Sequence, residues 1–326
     1  MKNRWKLMSV VAVLALAAAA CGDDDNGNGE EATNGAVPDA ACTFGEIFTT
    51  DGRIPELDLT VVEDDGVFIL YNVSVNLRDE VYQENPEAFD AIADLLLQDL
   101  DNDTAQELNG RVGVEGEDQE AVAADYLETQ GLTGDDGALE EYDLSGIDIT
   151  VGSKDFTEQL VLGEMIAQAF EAAGANVNNQ VNLGGTEVNR AALLSGDIDT
   201  YAEYNGTGWT VHLGNEDPVD DPEQLTEMVA EADLEENGIR WLGRSEFNNT
   251  YGFAVNQDFV DANGVPTLQD MADFLEANPD ATVCMESEFP DRPDGLVLFE
   301  EATGFEIPSD QISILDTNLI YTETAG

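Results

Sequence analysis

The chain has 326 residues, of which 42% are hydrophobic, 70 are acidic and 11 are basic, so its formal net charge is −59. The length suggests about two domains, and the hydrophobic content is sufficient for a packed core. The charge argues against nucleic acid as a partner and against docking on anionic lipid, and we attribute it to solubility at high salt. One histidine excludes a histidine-rich metal site, and three cysteines exclude a disulfide-dense small domain.

Basic residues are so rare that their positions are informative. Three of the 11 (Lys2, Arg4 and Lys6) lie within the first six positions, and seven of the remaining eight are arginines. Lys154 is the only lysine after residue 6. We expect a chain so poor in lysine to keep its last one for a functional reason.

Residues 1–20 have the pattern of a signal peptide. A basic start precedes an apolar run, residues 7–20, that is too short for a comfortable membrane span. The run ends in small residues directly before Cys21, which resembles the lipidation site of bacterial lipoproteins; an ordinary signal peptide with an incidental cysteine is the alternative. Residues 21–40 are mostly polar and predict a disordered tether. We therefore expect a protein anchored by lipid to the outer face of the cytoplasmic membrane, or a periplasmic one.

The second half of the chain alternates strand and helix patterns. Strands are predicted at residues 147–151, 181–183, 198–204, 251–255, 282–285 and 312–315, and helices at 155–173, 187–195, 222–236, 268–275 and 296–302. Asp155 is the expected cap of the first of these helices. The βαβαβ order predicts a parallel sheet, and the second series predicts a second α/β lobe.

The first third of the chain has a different pattern. Strands are predicted at residues 59–62 and 67–75, helices at 86–98 and 121–127, and a turn or linker at 133–137. No internal repeat relates this part to the rest of the chain.

Motifs for catalysis or cofactor binding are missing from the sequence. There is no phosphate-binding G-x-x-x-x-G-K-[ST] loop and no dinucleotide fingerprint. The acidic residues at 99, 101 and 103 imitate a calcium loop but lack its glycine and its closing glutamate. His212 has no second histidine with which to bind a metal and no evident nucleophile to activate. We therefore expect no enzyme, no cofactor and no metal site.

Six motifs follow one another in the order of a known family. They are GSKDFTEQ at 152–159, LGGT at 183–186, GDID at 196–199, EYNGT at 203–207, FNNTY at 247–251, and SEF at 287–289 with RPDG at 292–295. Together they resemble the osmoprotectant-binding proteins, which are the solute receptors of ABC importers for glycine betaine, choline, carnitine and related quaternary amines. The resemblance covers most of residues 146–326 and implies an α/β periplasmic-binding-protein fold of type II, with two lobes and a cleft between them.

The order of the segments differs from that family and suggests a circular permutation. Family members continue beyond the part that resembles residues 319–321 into an F-x-T-D-G-R-I motif, which here stands near the front, at residues 48–54. On this interpretation residues 59–132 and 146–239 form lobe one, residues 41–58 and 240–326 form lobe two, and residues 133–145 join the ancestral termini. A truncated or tandem gene product is the alternative. The permutation predicts that residues 42–54 lie in the lobe of residues 281–321, next to the strand at 312–315.

The resemblance implies which side chains bind the ligand. A trimethylammonium group donates no hydrogen bond and is matched by aromatic faces, whereas a ligand carboxylate needs hydrogen-bond donors. The implied cage is Tyr204, Tyr251 and Tyr321 with Phe48 at its edge, and the implied carboxylate donors are Lys154, Thr207 and Arg292. Glu288 and Asn249 would orient these donors or contact the cation. The tyrosines could instead be core residues and Arg292 a surface ion pair, and Trp209 could line the mouth or the core.

The remaining expectations concern cysteines and partners. Cys42 and Cys284 each lie beside a predicted strand, and they form either a structural disulfide or two buried thiols. The resemblance implies a monomeric receptor whose lobes close on the ligand and then dock on an ABC permease driven by an ATPase. The alternatives are a sensory or structural surface lipoprotein on the same fold and an extracytoplasmic enzyme.

Overall fold

A computed structural model of the protein describes residues 41–215, 219–292 and 294–326. The predicted signal peptide, the lipidation site Cys21 and the tether of residues 21–40 lie outside the described residues. Within the described residues, no helix has the length and the apolar character needed to cross a bilayer.

The described residues form ten strands and thirteen α-helical segments. The strands are β1 (Phe44–Phe48), β2 (Leu59–Val61), β3 (Val73–Arg78), β4 (Asp148–Gly152), β5 (Asn176–Gln180), β6 (Thr200–Tyr204), β7 (Ile239–Leu242), β8 (Tyr251–Asn256), β9 (Val283–Met285) and β10 (Ile312–Ile314). The helices are α1 (Arg53–Glu56), α2 (Asp79–Tyr82), α3 (Pro86–Leu97), α4 (Asn102–Gly113), α5 (Gln119–Thr129), α6 (Thr157–Ala172), α7 (Thr186–Ser195), α8 (Asn205–Thr207), α9 (Pro222–Asn237), α10 (Gln257–Asn263), α11 (Leu268–Ala277), α12 (Leu296–Thr303) and α13 (Thr317–Ala325).

The strands form two mixed five-stranded sheets. One has the order β5-β4-β6-β3-β7 and the other the order β10-β9-β1-β8-β2. We use lobe one for the first sheet with its helices and lobe two for the second. The predicted βαβαβ series of lobe one is confirmed, since β4 is parallel to both β5 and β6. The helix between β4 and β5, α6, is buried along most of its length, which explains its long apolar stripe.

Three local predictions are wrong. The strand expected at residues 181–183 lies earlier, at β5, because β5 is an edge strand whose exposed polar side chains show no apolar alternation. The long strand expected at 67–75 begins only at Val73, since the residues before it run between the lobes. Asp155 does not cap α6: the N-cap residue is Phe156, which makes no side-chain capping bond.

The boundaries between the lobes also differ from those expected. β2, which begins at residue 59, pairs with β8 of lobe two, and β7, which begins at residue 239, pairs with β3 of lobe one. Strand pairing decides lobe membership, and the sequence does not reveal which strands pair. The chain therefore crosses between lobes at residues 69–72 and 243–250, later than predicted in both places.

The two crossing segments, residues 69–72 and 243–250, run side by side and are bonded to each other. The amide of Asn249 donates to the carbonyl of Tyr71 (3.3 Å), and Thr250 Oγ1 donates to the carbonyl of Ile69 (2.7 Å). The amide of Val73 donates to Ser245 Oγ (2.9 Å). Such a paired crossing is a compact place for a hinge.

The first described segment of the chain is built into lobe two. β1 lies between β8 and β9, so the strand of residues 44–48 belongs to the same sheet as β9 and β10, and the permutation predicts this segment in that lobe. The permutation also predicted that this segment lies next to the strand at residues 312–315, and that detail is wrong. β9 lies between β1 and β10. A disulfide joins Cys42 to Cys284, with 5.5 Å between their Cα atoms.

The predicted linker, residues 133–145, is held to lobe one rather than loose. It contains a short 3₁₀ turn at Ala138–Glu141, and the side chains of Leu139 and Leu144 are fully buried. The amide of Leu144 donates to the carbonyl of Ala173 at the end of α6 (2.8 Å). Its longest exposed stretch is residues 134–136.

Candidate ligand-binding site

A cavity of about 670 Å³ lies where the two lobes face each other. Its walls contain seven of the nine side chains predicted to bind ligand, namely Phe48, Lys154, Tyr204, Thr207, Asn249, Tyr251 and Arg292. The sequence analysis missed six further residues of the wall that carry charge or an aromatic ring, namely Asp51, Arg53, Tyr71, Phe156, Glu158 and Glu187.

Strand ends bring the aromatic residues together. Phe48 is the last residue of β1, and its register partner in the antiparallel strand β8 is Tyr251. Tyr204 ends β6 in lobe one. Side chains at the ends of adjacent strands line the crevice at that edge of an α/β sheet, which is the usual position for a ligand.

Aromatic side chains from both lobes line the cavity. The ring centroids of Phe48 and Tyr251 are 4.9 Å apart in lobe two. In lobe one, the Tyr204 ring lies 6.4 Å from Tyr71 and 6.3 Å from Phe156. Phe156 belongs to the GSKDFTEQ motif, so its position beside Lys154 was a usable signal. Tyr71 lay inside a wrongly predicted strand, and no sequence signal marked it as a residue of the cavity.

Lys154 is already paired within the protein. Its Nζ lies 2.6 Å from Glu203 Oε1, and both side chains are buried. Glu203 also bonds His212 (3.0 Å) and accepts from the hydroxyl of Tyr201 (2.9 Å). Burial alone would raise the pKa of Glu203, but Lys154 and His212 outweigh it and lower the pKa to about 2. Lys154 thus neutralises a buried carboxylate, and its Nζ lies 5.0 Å from the Tyr204 ring centroid.

Arg292 keeps part of its hydrogen-bonding capacity. Its Nε and Nη2 bind the carboxylate of Asp294 at 2.8 and 2.6 Å, and Asp294 also accepts from the Tyr71 hydroxyl (2.7 Å). Its Nη1 reaches Glu288 only at 4.0 Å, beyond hydrogen-bonding distance. The guanidinium carbon lies 5.4 Å from the centroid of the Tyr251 ring. Among the described residues Nη1 therefore makes no hydrogen bond, and Arg292 lines the cavity.

Glu158, in the first turn of α6, is the buried carboxylate of the wall. Its Oε1 accepts from the Tyr204 hydroxyl (2.6 Å) and from Asn249 Nδ2 (2.9 Å), and its Oε2 accepts from Asn109 Nδ2 (2.9 Å). Burial raises the pKa of Glu158, and these hydrogen bonds oppose that rise. Glu158 thus holds Tyr204 and Asn249 in place, the orienting role that the sequence analysis gave to Glu288.

Two predicted ligand-binding residues do not line the cavity. The Glu288 side chain is 75% exposed, and its Oε2 lies 4.0 Å from Arg292 Nη1. Tyr321 is fully buried behind the wall, where its hydroxyl accepts from the amide of Phe48 (2.9 Å). Arg53 stacks on the Tyr321 ring at 3.8 Å from its centroid. Tyr321 therefore supports the end of β1 from behind.

Trp209 does not line the cavity either. It packs, half-buried, against the apolar cluster of lobe one that includes Leu225 and Val229. Of the two interpretations of Trp209 left open by the sequence, the structure places it at the core.

One further carboxyl group is buried behind the cage. Glu46, in β1 two residues before Phe48, is fully buried, and its Oε2 accepts from the amide of Glu286 (3.1 Å). Its Oε1 has no hydrogen-bond partner among the described residues. Burial raises the pKa of Glu46 to about 7, with the backbone bond and Arg292 opposing the rise and the charge of Glu286 adding to it.

The chain matches the family model described as the substrate-binding domain of ABC-type glycine betaine transport systems, over residues 29–129 and 147–325. It is 36% identical over 165 residues to the glycine betaine-binding protein YehZ of Escherichia coli (50% of this chain, 54% of that one) and 33% identical over 180 residues to the glycine-betaine-binding protein of Pseudomonas aeruginosa (53% and 57%). It is 30% identical over 177 residues to the carnitine transport binding protein OpuCC of Listeria monocytogenes (53% and 56%). The solved structure of apo YehZ matches with a TM-score of 0.46 at 35% identity, over 53% of this chain and 63% of that one.

The fold and the cavity between its lobes are those of a solute-binding domain. The chain belongs to the family of substrate-binding domains of ABC-type glycine betaine transport systems, whose model covers most of its length. Proteins of this kind are extracytoplasmic binding proteins rather than enzymes. The sequence matches to the three relatives span little more than half the length of each of them.

Proposed function

We propose that the protein is the solute receptor of an ABC importer and that it binds a zwitterionic quaternary amine such as glycine betaine or carnitine without turnover. The observation that carries this proposal is the pairing of a ring and a cation on each side of the cavity. Tyr204 has the Lys154 ammonium 5.0 Å from its ring centroid, and Tyr251 has the Arg292 guanidinium 5.4 Å from its own.

The aromatic faces supply the site for the ligand cation. Phe48, Tyr71, Tyr204 and Tyr251 line the same cavity and contribute faces from lobe two, lobe one and the crossing between them. A desolvated cation–π contact contributes about 2 kcal/mol, and a trimethylammonium group is too weakly hydrated to oppose the transfer strongly. The buried Glu158 carboxyl group fixes the Tyr204 ring by accepting a hydrogen bond from its hydroxyl.

The basic side chains supply the site for the ligand carboxylate. Eight basic residues follow position 6, and three of them, Arg53, Lys154 and Arg292, line the cavity. Because the protein is so acidic, an anionic group enters this cleft only where fixed cations offset the surrounding field. Arg292 Nη1 is the donor with capacity to spare, Thr207 offers a hydroxyl, and Lys154 contributes charge while it remains bonded to Glu203.

Ligand that touches both lobes favours the closed form in proportion to its extra affinity for that form. The closed receptor would then dock on a membrane permease, and an ATPase would drive transport. We further propose that the receptor is a monomer, that Cys21 carries the lipid anchor, and that the anchor holds the receptor to the outer face of the cytoplasmic membrane.

Calorimetry on the mature protein tests the proposed function. We expect glycine betaine to bind the wild type, and Arg292→Met to weaken this binding by about 1.5–3 kcal/mol, roughly 10- to 150-fold, because a hydrogen bond to a charged group is lost. Choline lacks the carboxylate and should lose far less. Tyr251→Leu should weaken both ligands, since both have the cation.

Two results would contradict this assignment. If neither glycine betaine, choline nor carnitine gives heat at physiological or high salt, the receptor function is wrong. If Arg292→Met weakens betaine and choline equally, the carboxylate site is wrong and only the cage stands.

We also propose that the chain is a circular permutant in which residues 133–145 join the ancestral ends. The contact between the first and last described segments supports this, because the amide of Cys42 donates to the carbonyl of Glu323 (3.1 Å) and β1 packs against α13. The family match is broken at residues 130–146, which contain the proposed junction. Termini that lie together at the surface are the condition under which permutation is tolerated.

Reconnecting the chain in the ancestral order tests this proposal. A chain that begins at Asp136, continues from Gly326 through a short Gly/Ser linker into Ala41 and ends at Asp135 should fold, form the Cys42–Cys284 disulfide and melt within a few degrees of the natural order. The wild-type order without residues 1–40 is the control. A reconnected chain that stays unfolded under conditions where the control folds contradicts the permutation.

A further inference from the structure

The lobes already touch beside the cavity. Gly52 of lobe two lies directly against the backbone of Asn109 and Gly110 in α4 of lobe one, with no room for a side chain at position 52. Asn109 Nδ2 also donates to the carbonyl of Thr50 (2.8 Å). The cavity of about 670 Å³ therefore remains when this side of the cleft is in contact. That volume suits a drug-sized ligand, whereas glycine betaine has a single methylene between its two charged groups.

The unfilled part of the cavity has an apolar wall on lobe one. Val114 just beyond α4, Phe156 before α6 and Val211 in the π-helical turn Gly208–His212 all line the cavity. They are 40%, 42% and 51% exposed, and are among the most exposed large apolar side chains of the described residues. Three apolar side chains on one concave wall form a surface that a ligand can desolvate, which single exposed apolar residues scattered over a surface do not.

The apolar wall adjoins the cage. The Phe156 ring is nearly parallel to that of Tyr204, at 16° and with centroids 6.3 Å apart. A substituent on the carbon between the ligand's ammonium and carboxylate would therefore leave the cage along Phe156 towards Val114 and Val211. The charged groups of the ligand need not move from the positions proposed above.

We propose that this receptor prefers a betaine with a bulky apolar or aromatic substituent, such as the betaine of an aromatic amino acid, over glycine betaine. This inference rests on the proposed function and specifies its substrate class. The cage and Arg292 recognise the parts common to all betaines, and the apolar wall of Val114, Phe156 and Val211 recognises the substituent.

Phenylalanine betaine and glycine betaine form the test pair, because they differ only by a benzyl group. Burial of that group against the wall should make phenylalanine betaine bind the wild type about 10- to 100-fold more tightly in calorimetry. Val211→Trp fills cavity space at the apolar wall and should bring the ratio of the two affinities close to one. Val265→Trp changes an equally exposed valine outside the cavity and should leave the ratio at its wild-type value.

The outcomes separate this inference from the proposed function. Glycine betaine binding as tightly as phenylalanine betaine, or more tightly, overturns the inference and leaves the receptor function standing. A ratio unchanged by Val211→Trp also overturns it, because the benzyl group then lies elsewhere. If neither betaine binds, the inference fails, and if choline and carnitine also give no heat, the proposed function fails with it.

Discussion

Lys154→Met is expected to destabilise the protein by about 3–5 kcal/mol, because it leaves the buried Glu203 carboxylate without its principal counter-charge. Glu203 is fully buried, and its bonds to His212 and Tyr201 do not replace the ammonium at 2.6 Å. Denaturant unfolding at pH 7 measures the loss. Lys154→Met/Glu203→Gln should recover part of it, since the amide keeps hydrogen bonds without a charge.

Arg111→Met is the matched control for Lys154→Met. Arg111 makes two ion pairs of similar length, to Glu117 and Asp125, but these partners are exposed, so the loss should be about 1 kcal/mol or less. A loss for Lys154→Met no larger than that of the control contradicts the structural role of the Lys154–Glu203 pair. The lysine would then be free for the ligand, as the sequence analysis expected.

Glu46→Gln is expected to change how stability depends on pH. The pKa of Glu46 is about 7 in the folded protein against an ordinary value of 4.5, so between these pH values the unfolded chain ionises while the folded chain holds its proton. The contribution of the protonated Glu46 side chain to the free energy of unfolding is complete below pH 4.5 and is lost as the pH rises to about 7. This pKa shift lowers the free energy of unfolding of the wild type by about 3 kcal/mol as the pH rises through this range. Glu46→Gln has no proton to lose at this position and does not show that decrease.

The comparison of the two proteins isolates this group. Every other carboxylate titrates in both of them, so the free energy of unfolding of Glu46→Gln minus that of the wild type should grow by about 3 kcal/mol between pH 4.5 and 7.5. The groups that face Glu46 are Glu286, Arg292, Tyr251 and Tyr321, and all remain in the variant. Parallel stability curves over this range contradict a buried neutral carboxyl at position 46.

Patterns of local origin were predicted well from the sequence. α7 ends at Gly196 in a left-handed conformation (φ 79°), and α9 begins with Pro222 after the capping Asp221, so residue types alone identify these ends. α4 and α13 were missed because few of their side chains are buried, and apolar periodicity is then faint. The position of the edge strand β5 was predicted wrongly for the same reason, since most of its side chains are exposed.

The residues of the site were predictable where they belong to family motifs. Their contacts were not predictable where the two contacting residues are far apart in the sequence. Phe48 and Tyr251 come together because β1 pairs with β8, about 200 residues apart in the chain, and family resemblance alone indicated both. Glu203 stands in the EYNGT motif, but it is 49 residues from Lys154 and one of 70 acidic residues, so nothing in the sequence indicated that the two side chains pair. Tyr321 was indicated by the resemblance of residues 319–321 to the family, yet its ring lies against Arg53 behind the wall.

A crystal structure of the mature protein with glycine betaine tests the central claim most directly. The account predicts the trimethylammonium group within about 6 Å of the ring centroids of Tyr204 and Tyr251, with the carboxylate bonded to Arg292 Nη1. A betaine bound in the opposite orientation, with its carboxylate against the rings or its ammonium outside the cavity, would contradict the account.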